Sequence, residues 1–286
     1  MPELPEVETL RRALSPRVTG RTIVEAGSHS SAKFTPATDT VGATITGAAR
    51  RGKFLILPLS DQRDLIVHLG MTGTLSFSDD TAFPGNTALF DRTDNAGDNP
   101  YLRAWWRLDD QPETNDNVLL FHDVRRFGRI RLVPAGDYRS IPTLANAGPE
   151  PWDPELTPEL FQSLIRRSRR SIKTQLLSQR PIAGVGNIYA DEALWGAQIN
   201  PRVTRLGLGR SARLLDELRN ALEKGVENGG TTLRDYRTVD GEKGDNQHTL
   251  VAYGRAGLPC LRCGTTLRRG VIDARTSVWC PICQRR

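Results

Sequence analysis

Pro2 and Glu3 stand beside Glu6 and Glu8 in the opening stretch Met1-Pro2-Glu3-Leu4-Pro5-Glu6-Val7-Glu8. With Met1 removed, Pro2 offers a secondary amine. An α-amino group titrates near about 7.7–8.0, so a useful fraction is neutral at physiological pH. Such an amine can attack a sugar C1′ and form a cationic Schiff base, a task usually given to lysine. Glu3 is then the adjacent acid/base group and Glu6 a supporting carboxylate. Taken alone, the stretch also fits a frayed tail with Pro5 at the first turn of a helix.

The far end supplies a second constellation. Cys260-Leu261-Arg262-Cys263 and Cys280-Pro281-Ile282-Cys283 are Cys-x2-Cys pairs separated by sixteen residues, and they hold all four cysteines of the chain. This is the spacing of a four-thiolate zinc ribbon, with tetrathiolate iron as the rival. Four protein ligands leave no open position, so one structural zinc ion is expected. No thiol remains for a disulfide framework or a cysteine nucleophile.

Charge locates the partner. The chain carries a formal net charge of +6. Residues 255–286 account for it, with seven arginines (Arg255, Arg262, Arg268, Arg269, Arg275, Arg285 and Arg286) against Asp273 alone. So basic a module suggests a phosphate-binding face, with a solvated basic tail as the plainer reading. The 286 residues suit more than one domain. No charged-then-apolar leader opens the chain and no apolar run is long enough to span a bilayer, so no membrane association and a cytoplasmic location are expected.

These residues need elements to hold them. Val7, Leu10 and Leu14 share one face of a short helix that Ser15-Pro16 is expected to end. Short β-type runs follow at Arg21–Ala26, Phe54–Leu59, Leu65–Leu69, Val118–Phe121 and Arg129–Val133, the pattern of an antiparallel sandwich. Residues 78–117 hold nine acids against three arginines. They read as a polar surface insertion kept away from DNA. After a proline-rich linker the period becomes helical, at Pro158–Arg167, Ile172–Leu177, Ile188–Trp195 and Ala212–Asn228. Ala183-Gly184-Val185-Gly186-Asn187 fits a turn opening a helix, with Asn187 and free N–H groups facing a DNA phosphate, or an ordinary interhelical turn. The expected α+β division is 1–135 for the N-terminal sandwich, 136–157 for the linker, 158–247 for the helical domain and 248–286 for the ribbon.

Pro2 to Thr9, Arg50-Arg51-Gly52-Lys53-Phe54, His68-Leu69-Gly70-Met71, Asp123-Val124-Arg125-Arg126-Phe127-Gly128, Gly184 to Asp191 and the terminal ribbon occur in this order. Together they resemble the bacterial formamidopyrimidine-DNA glycosylase family, which repairs oxidised purines. The likeness runs through the whole chain and is weakest over 78–117. It implies an N-terminal β-sandwich with an N-terminal helix, then a helix–two-turn–helix domain and a zinc ribbon, with damaged duplex DNA in the cleft and a monomer acting at the nucleoid.

The resemblance also implies roles. Pro2 attacks C1′ and expels the flipped base, Glu3 assists the opening sugar, and β- then δ-elimination follows. Lys53 is the family lysine near the lesion phosphate, and Arg275 the ribbon arginine of δ-elimination. Met71, Arg125 and Phe127 fill the hole left by the flipped nucleotide. His68 and Asn187 are DNA contacts, and Arg169 and Lys173 are candidates in the basic run Arg166 to Lys173. Read alone, Lys53 fits a solvated strand, His68 a satisfied histidine, Met71 and Phe127 core packing, and the basic run a solvated face. The loop Gly244-Asp245-Asn246-Gln247, compared with a base-capping loop, lacks the aromatic that often precedes glutamine. An endonuclease VIII-like enzyme for oxidised pyrimidines shares the chemistry. A noncatalytic zinc-ribbon DNA-binding protein would need neither Pro2 with Glu3 nor Lys53.

Overall fold

The computed structural model describes residues 1–78, 100–109 and 117–285. The chain forms two compact units: Met1–Pro2, Glu6–Ile141 and Thr232–Gly244 make one, while Glu3–Pro5, Pro142–Thr231 and Asp245–Arg286 make the other. The division falls at Ile141 within the expected linker, and residues 232–244 belong to the first unit rather than to the helical region.

Helix α1 spans Leu4–Val18 and belongs to the first unit from Glu6 onward, where Val7, Leu10, Leu14 and Val18 bury the face their spacing marks out. Full burial of each such side chain contributes about 1.5–3 kcal/mol. Pro16 does not end the helix. Its missing N–H forfeits one bond, yet the Thr19 N–H and hydroxyl both reach the Ser15 carbonyl and close the last turn.

The strands are β1 (Ile23–Ser28), β2 (Ala49–Arg51), β3 (Phe54–Pro58), β4 (Arg63–His68), β5 (Gly73–Ser78), β6 (Leu102–Leu108), β7 (Val118–Asp123) and β8 (Arg129–Pro134). They make two antiparallel four-stranded sheets, ordered β1-β6-β7-β5 and β2-β3-β4-β8. One apolar core joins them, with Leu55, Leu57, Leu65 and Val67 from one sheet and Leu75, Ala104, Trp106, Leu119 and Phe121 from the other.

The expected polar insertion over 78–117 needs correction. Its residues Leu102–Leu108 form β6, an inner strand with Trp105 and Trp106 almost fully buried. The acids of the flanks hid a run of strand-forming residues, and Trp106→Ala would cost about 3–5 kcal/mol. Residues 79–99 and 110–116 of that segment lie outside the described residues.

The second unit holds helices α2 (Pro142–Ala145), α3 (Pro158–Arg166), α4 (Ile172–Leu177), α5 (Asn187–Gly196) and α6 (Leu208–Glu227), then strands β9 (Arg268–Ile272) and β10 (Arg275–Trp279). Thr157 and Ser171 cap α3 and α4 by accepting the N–H of Leu160 and Thr174. On α6, Leu214, Leu218 and Leu222 recur every four residues and are fully buried. The β9–β10 hairpin turns at Asp273 and Ala274, both with positive φ, at 50° and 59°. No helix among the described residues is long and apolar enough to cross a membrane.

Candidate active site and zinc centre

Glu3 is 2 % exposed in the second unit. Its Oε2 accepts the Gly186 N–H at 2.7 Å and the Tyr189 N–H at 3.4 Å, and its Oε1 accepts the Ile188 N–H at 2.9 Å. The carboxylate therefore sits on the open N–H groups at the start of α5, where the helix dipole favours negative charge. Sequence dictates this fit, since a Cβ at Gly186 would occupy the space of the Glu3 carboxylate. Gly184 turns with φ +86° and packs against Leu4 in the same way. The Gly-x-Gly turn thus cradles a carboxylate of its own chain rather than a free phosphate. Asn187, the first residue of α5, lies beside the Tyr253 side chain, and its buried Oδ1 has no hydrogen-bond partner among the described residues.

In the first unit Pro2 is buried. Glu6 is 1 % exposed, near Tyr236, whose hydroxyl is pushed up first by burial and then by the Glu6 charge. Lys53 follows Gly52, φ +55°, in the two-residue turn from β2 to β3, with glycine at the first central position as a type II′ turn requires. Glu8 braces this turn: it binds Arg50 at 3.1 Å, and Arg50 in turn donates to the Gly52 carbonyl at 3.0 Å. Burial pushes the Glu8 carboxyl up, but hydrogen bonds from Arg11 and Arg12 and the charges of Arg11 and Arg50 outweigh it, holding it at about 2.

His68 ends β4 with its ring 4.8 Å from that of Phe54. Burial, the Lys53 charge and the Arg129 charge bring its pKa down to about 4 against the opposing pull of Asp123. Its Nδ1 accepts the Gly70 N–H at 3.3 Å. The imidazole is thus neutral at physiological pH with Nε2–H left as its donor, a form that can bind a phosphate oxygen.

Met71 is half-buried, while Arg125 and Phe127 are exposed, and the Arg125 guanidinium lies 5.0 Å from the centre of the Phe127 ring. Sequence reasoning missed what holds this loop. Asp123 is fully buried; it accepts the Gly128 N–H at 2.6 Å, the Arg125 N–H at 3.2 Å and the Thr72 hydroxyl at 2.5 Å. An aspartate directly before a turn, where its side chain can accept the N–H two residues on, is the available signal.

Lys173 is corrected. It is 0 % exposed, paired with Asp191 at 2.6 Å and donating to the Thr276 carbonyl at 2.9 Å, so it is not offered to DNA from this position. Burial outweighs the Asp191 charge and lowers its pKa. Lysine in a basic run looks solvated, but Ile172 and Lys173 enter the buried face of a six-residue helix. Arg169 is exposed, as expected. Asn246 is also unlike a capping-loop residue: it is 3 % exposed, donating to Thr231 at 2.8 Å and accepting from Asn228 at 3.2 Å.

The four cysteine sulfurs lie within 4.8 Å of one another. Tetrahedral zinc with bonds of 2.3 Å puts sulfurs about 3.8 Å apart, so the cluster fits one ion. Each pair forms a knuckle, with the Gly264 N–H on the Cys260 carbonyl and the Gln284 N–H on the Cys280 carbonyl. Gln284, fully buried, also accepts the Cys280 N–H at 2.7 Å and donates to the Ile199 carbonyl at 3.0 Å.

The ribbon arginines divide. Arg262 lies 4.2 Å over Trp195 and bonds the Trp195 and Gly196 carbonyls, capping the end of α5. Arg268, Arg269 and Arg275 are exposed and their guanidinium groups have no partner among the described residues. Arg286 lies outside the described residues.

Three family profiles match in chain order: the formamidopyrimidine-DNA glycosylase N-terminal domain over 1–130, its H2TH domain over 147–237, and the zinc finger found in FPG and IleRS over 257–286. The formamidopyrimidine-DNA glycosylase of Deinococcus radiodurans is 38 % identical, covering 99 % of this chain and 97 % of that one. The crystal structure of the MutM (FPG) protein from Thermus thermophilus matches with TM-score 0.86 at 41 % identity, over 99 % of this chain and 98 % of that one. A Lactococcus lactis Fpg in complex with DNA containing an abasic site matches with TM-score 0.84 at 32 % identity, over 99 % of this chain and 100 % of that one. The chain belongs to the formamidopyrimidine-DNA glycosylase family.

Proposed function

We propose that this protein is a DNA glycosylase and abasic-site lyase of base excision repair that removes oxidised purines through Pro2. Glu3 carries the reading: a buried carboxylate fixed by three N–H groups and joined by one peptide bond to the prospective nucleophile. Capping α5 needs a carboxylate, but it does not need that carboxylate to stand next to a prolyl amine.

After removal of Met1, the Pro2 nitrogen bonds to C1′ as the bond from C1′ to the base breaks. The sugar ring opens with Glu3 managing the proton at its ring oxygen, leaving an iminium. The iminium acidifies C2′–H; loss of that proton expels the 3′ phosphate, loss of the C4′ proton then expels the 5′ phosphate, and water hydrolyses the C=N bond to free Pro2. Lys53 and neutral His68 serve the phosphate beside the lesion, and Arg275 the second elimination. Met71, Arg125 and Phe127 occupy the gap in the duplex, with Asn187 and Arg169 on the DNA backbone. Zinc held by Cys260, Cys263, Cys280 and Cys283 folds the ribbon and leaves no position for substrate. Action as a monomer at the bacterial nucleoid is part of the proposal.

Incision of duplexes carrying 8-oxoguanine, formamidopyrimidine, thymine glycol or an abasic site tests the reading. Preferred cutting at the two purine lesions is expected. Preference for thymine glycol would move the protein to the endonuclease VIII type, and binding without incision would make it noncatalytic.

A further inference from the structure

Strand β10 begins at Arg275 and, among the described residues, pairs with β9 along one edge only. Its other edge presents the Thr276 carbonyl and the Val278 N–H, which point to the same side of a strand. Such an edge is ordinarily left to water or to another strand. Here it is covered, with Ser277 fully and Val278 almost fully buried. Lys173 Nζ, from α4, donates to the Thr276 carbonyl at 2.9 Å, and Asp191 Oδ2, from α5, accepts the Val278 N–H at 3.0 Å. The two side chains meet at 2.6 Å. One donor and one acceptor, locked together, supply what a neighbouring strand would supply.

We propose that Lys173 and Asp191 are positioning residues for Arg275: a buried ion pair that stands in for a third strand and sets where the Arg275 side chain leaves the ribbon. The inference rests on the role given to Arg275 above. Two-stranded ribbons are marginal on their own. The zinc ligand Cys280 anchors the far end of β10, whereas Arg275 lies at the end distant from the metal, directly before Thr276. Apolar side chains would be easier to bury than this pair. They would, however, leave the buried Thr276 carbonyl and Val278 N–H unsatisfied, which costs the full desolvation of each group.

The test uses the full zinc-loaded protein. Lys173→Met keeps the length and packing of the side chain but removes the donor. It should retain zinc and abasic-site binding, speed amide exchange across 275–279, and lower the ratio of δ- to β-elimination product about tenfold, the loss expected for one charged hydrogen bond. Mere docking of the ribbon would cost zinc and binding and leave the ratio alone. If Lys173→Met does not fold, Lys173→Met with Asp191→Asn removes the orphaned charge and is read the same way. Arg275→Ala run alongside separates two failures. If Arg275→Ala shifts the ratio and the Lys173 variants do not, the pair is not a positioning device. If Arg275→Ala leaves the ratio unchanged, the role given to Arg275 falls, and exchange at Val278 alone decides whether the pair braces the strand.

Discussion

Each unit contains a buried aspartate that orders an exposed segment, and the two are satisfied differently. Asp123 is held by uncharged donors, two backbone N–H groups and the Thr72 hydroxyl. Asp191 takes one backbone N–H and the Lys173 ammonium, and burial raises its pKa to about 6 against the pull of that cation. In the first unit a turn aims its own N–H groups at the carboxylate, and the nearby cation, buried Arg103, donates to the Asp123 carbonyl at 2.9 Å rather than to the carboxylate. At the ribbon edge the strand offers a carbonyl as well as an N–H, so donor and acceptor must both come from side chains. The Arg125–Phe127 loop thus supplies part of its own bracing, helped by Thr72 and by Lys33, which donates to the Arg126 carbonyl at 2.8 Å, while the outer edge of the Arg275 strand takes both of its partners from residues more than 80 positions away in the chain.

Breaking the charged pair should have the larger effect. Asp191→Asn leaves a buried ammonium without its partner and should cost about 3–5 kcal/mol in denaturant unfolding. Asp123→Asn disturbs neutral hydrogen bonds and should cost about 1–3 kcal/mol. Equal losses would erase the distinction. Acid unfolding sharpens the picture of the first unit. His68 and Glu8 have lowered pKa values in the folded state, so the unfolded chain takes up their protons first. The stability they supply is complete above the unfolded values and is lost as pH falls, from 6.5 toward 4 for His68 and from 4.5 toward 2 for Glu8. A pH titration of stability should shift accordingly in His68→Phe, which removes the upper window. The smallest stability effect belongs to Phe127→Ala, within about 0.5 kcal/mol because the ring is exposed. Base excision should nevertheless fall.

Legibility followed range along the chain. The zinc ligands and the helices of the second unit were readable because knuckle spacing and helical period are local. Pro2 beside Glu3 is legible as a candidate pair, but the partners of Glu3 lie more than 180 residues away, and nothing in Gly186 by itself says that a carboxylate fills its missing Cβ. The strand Leu102–Leu108 was lost because flanking acids dominated its window. Lys173 was misread for the same reason: its neighbours are exposed arginines, whereas its own position faces Asp191 and the ribbon.

The central claim is that Pro2 is the nucleophile with Glu3 as its fixed acid/base partner. Borohydride reduction during reaction with an 8-oxoguanine duplex, followed by peptide mapping of the protein–DNA adduct, tests it most directly. The account predicts a chain beginning at Pro2 with the sugar attached to its nitrogen. It also predicts that Glu3→Gln loses this adduct far more on the lesion duplex than on a preformed abasic site. An adduct on Lys53 or another lysine, or full activity in protein carrying an uncleaved N-terminal extension, would contradict it.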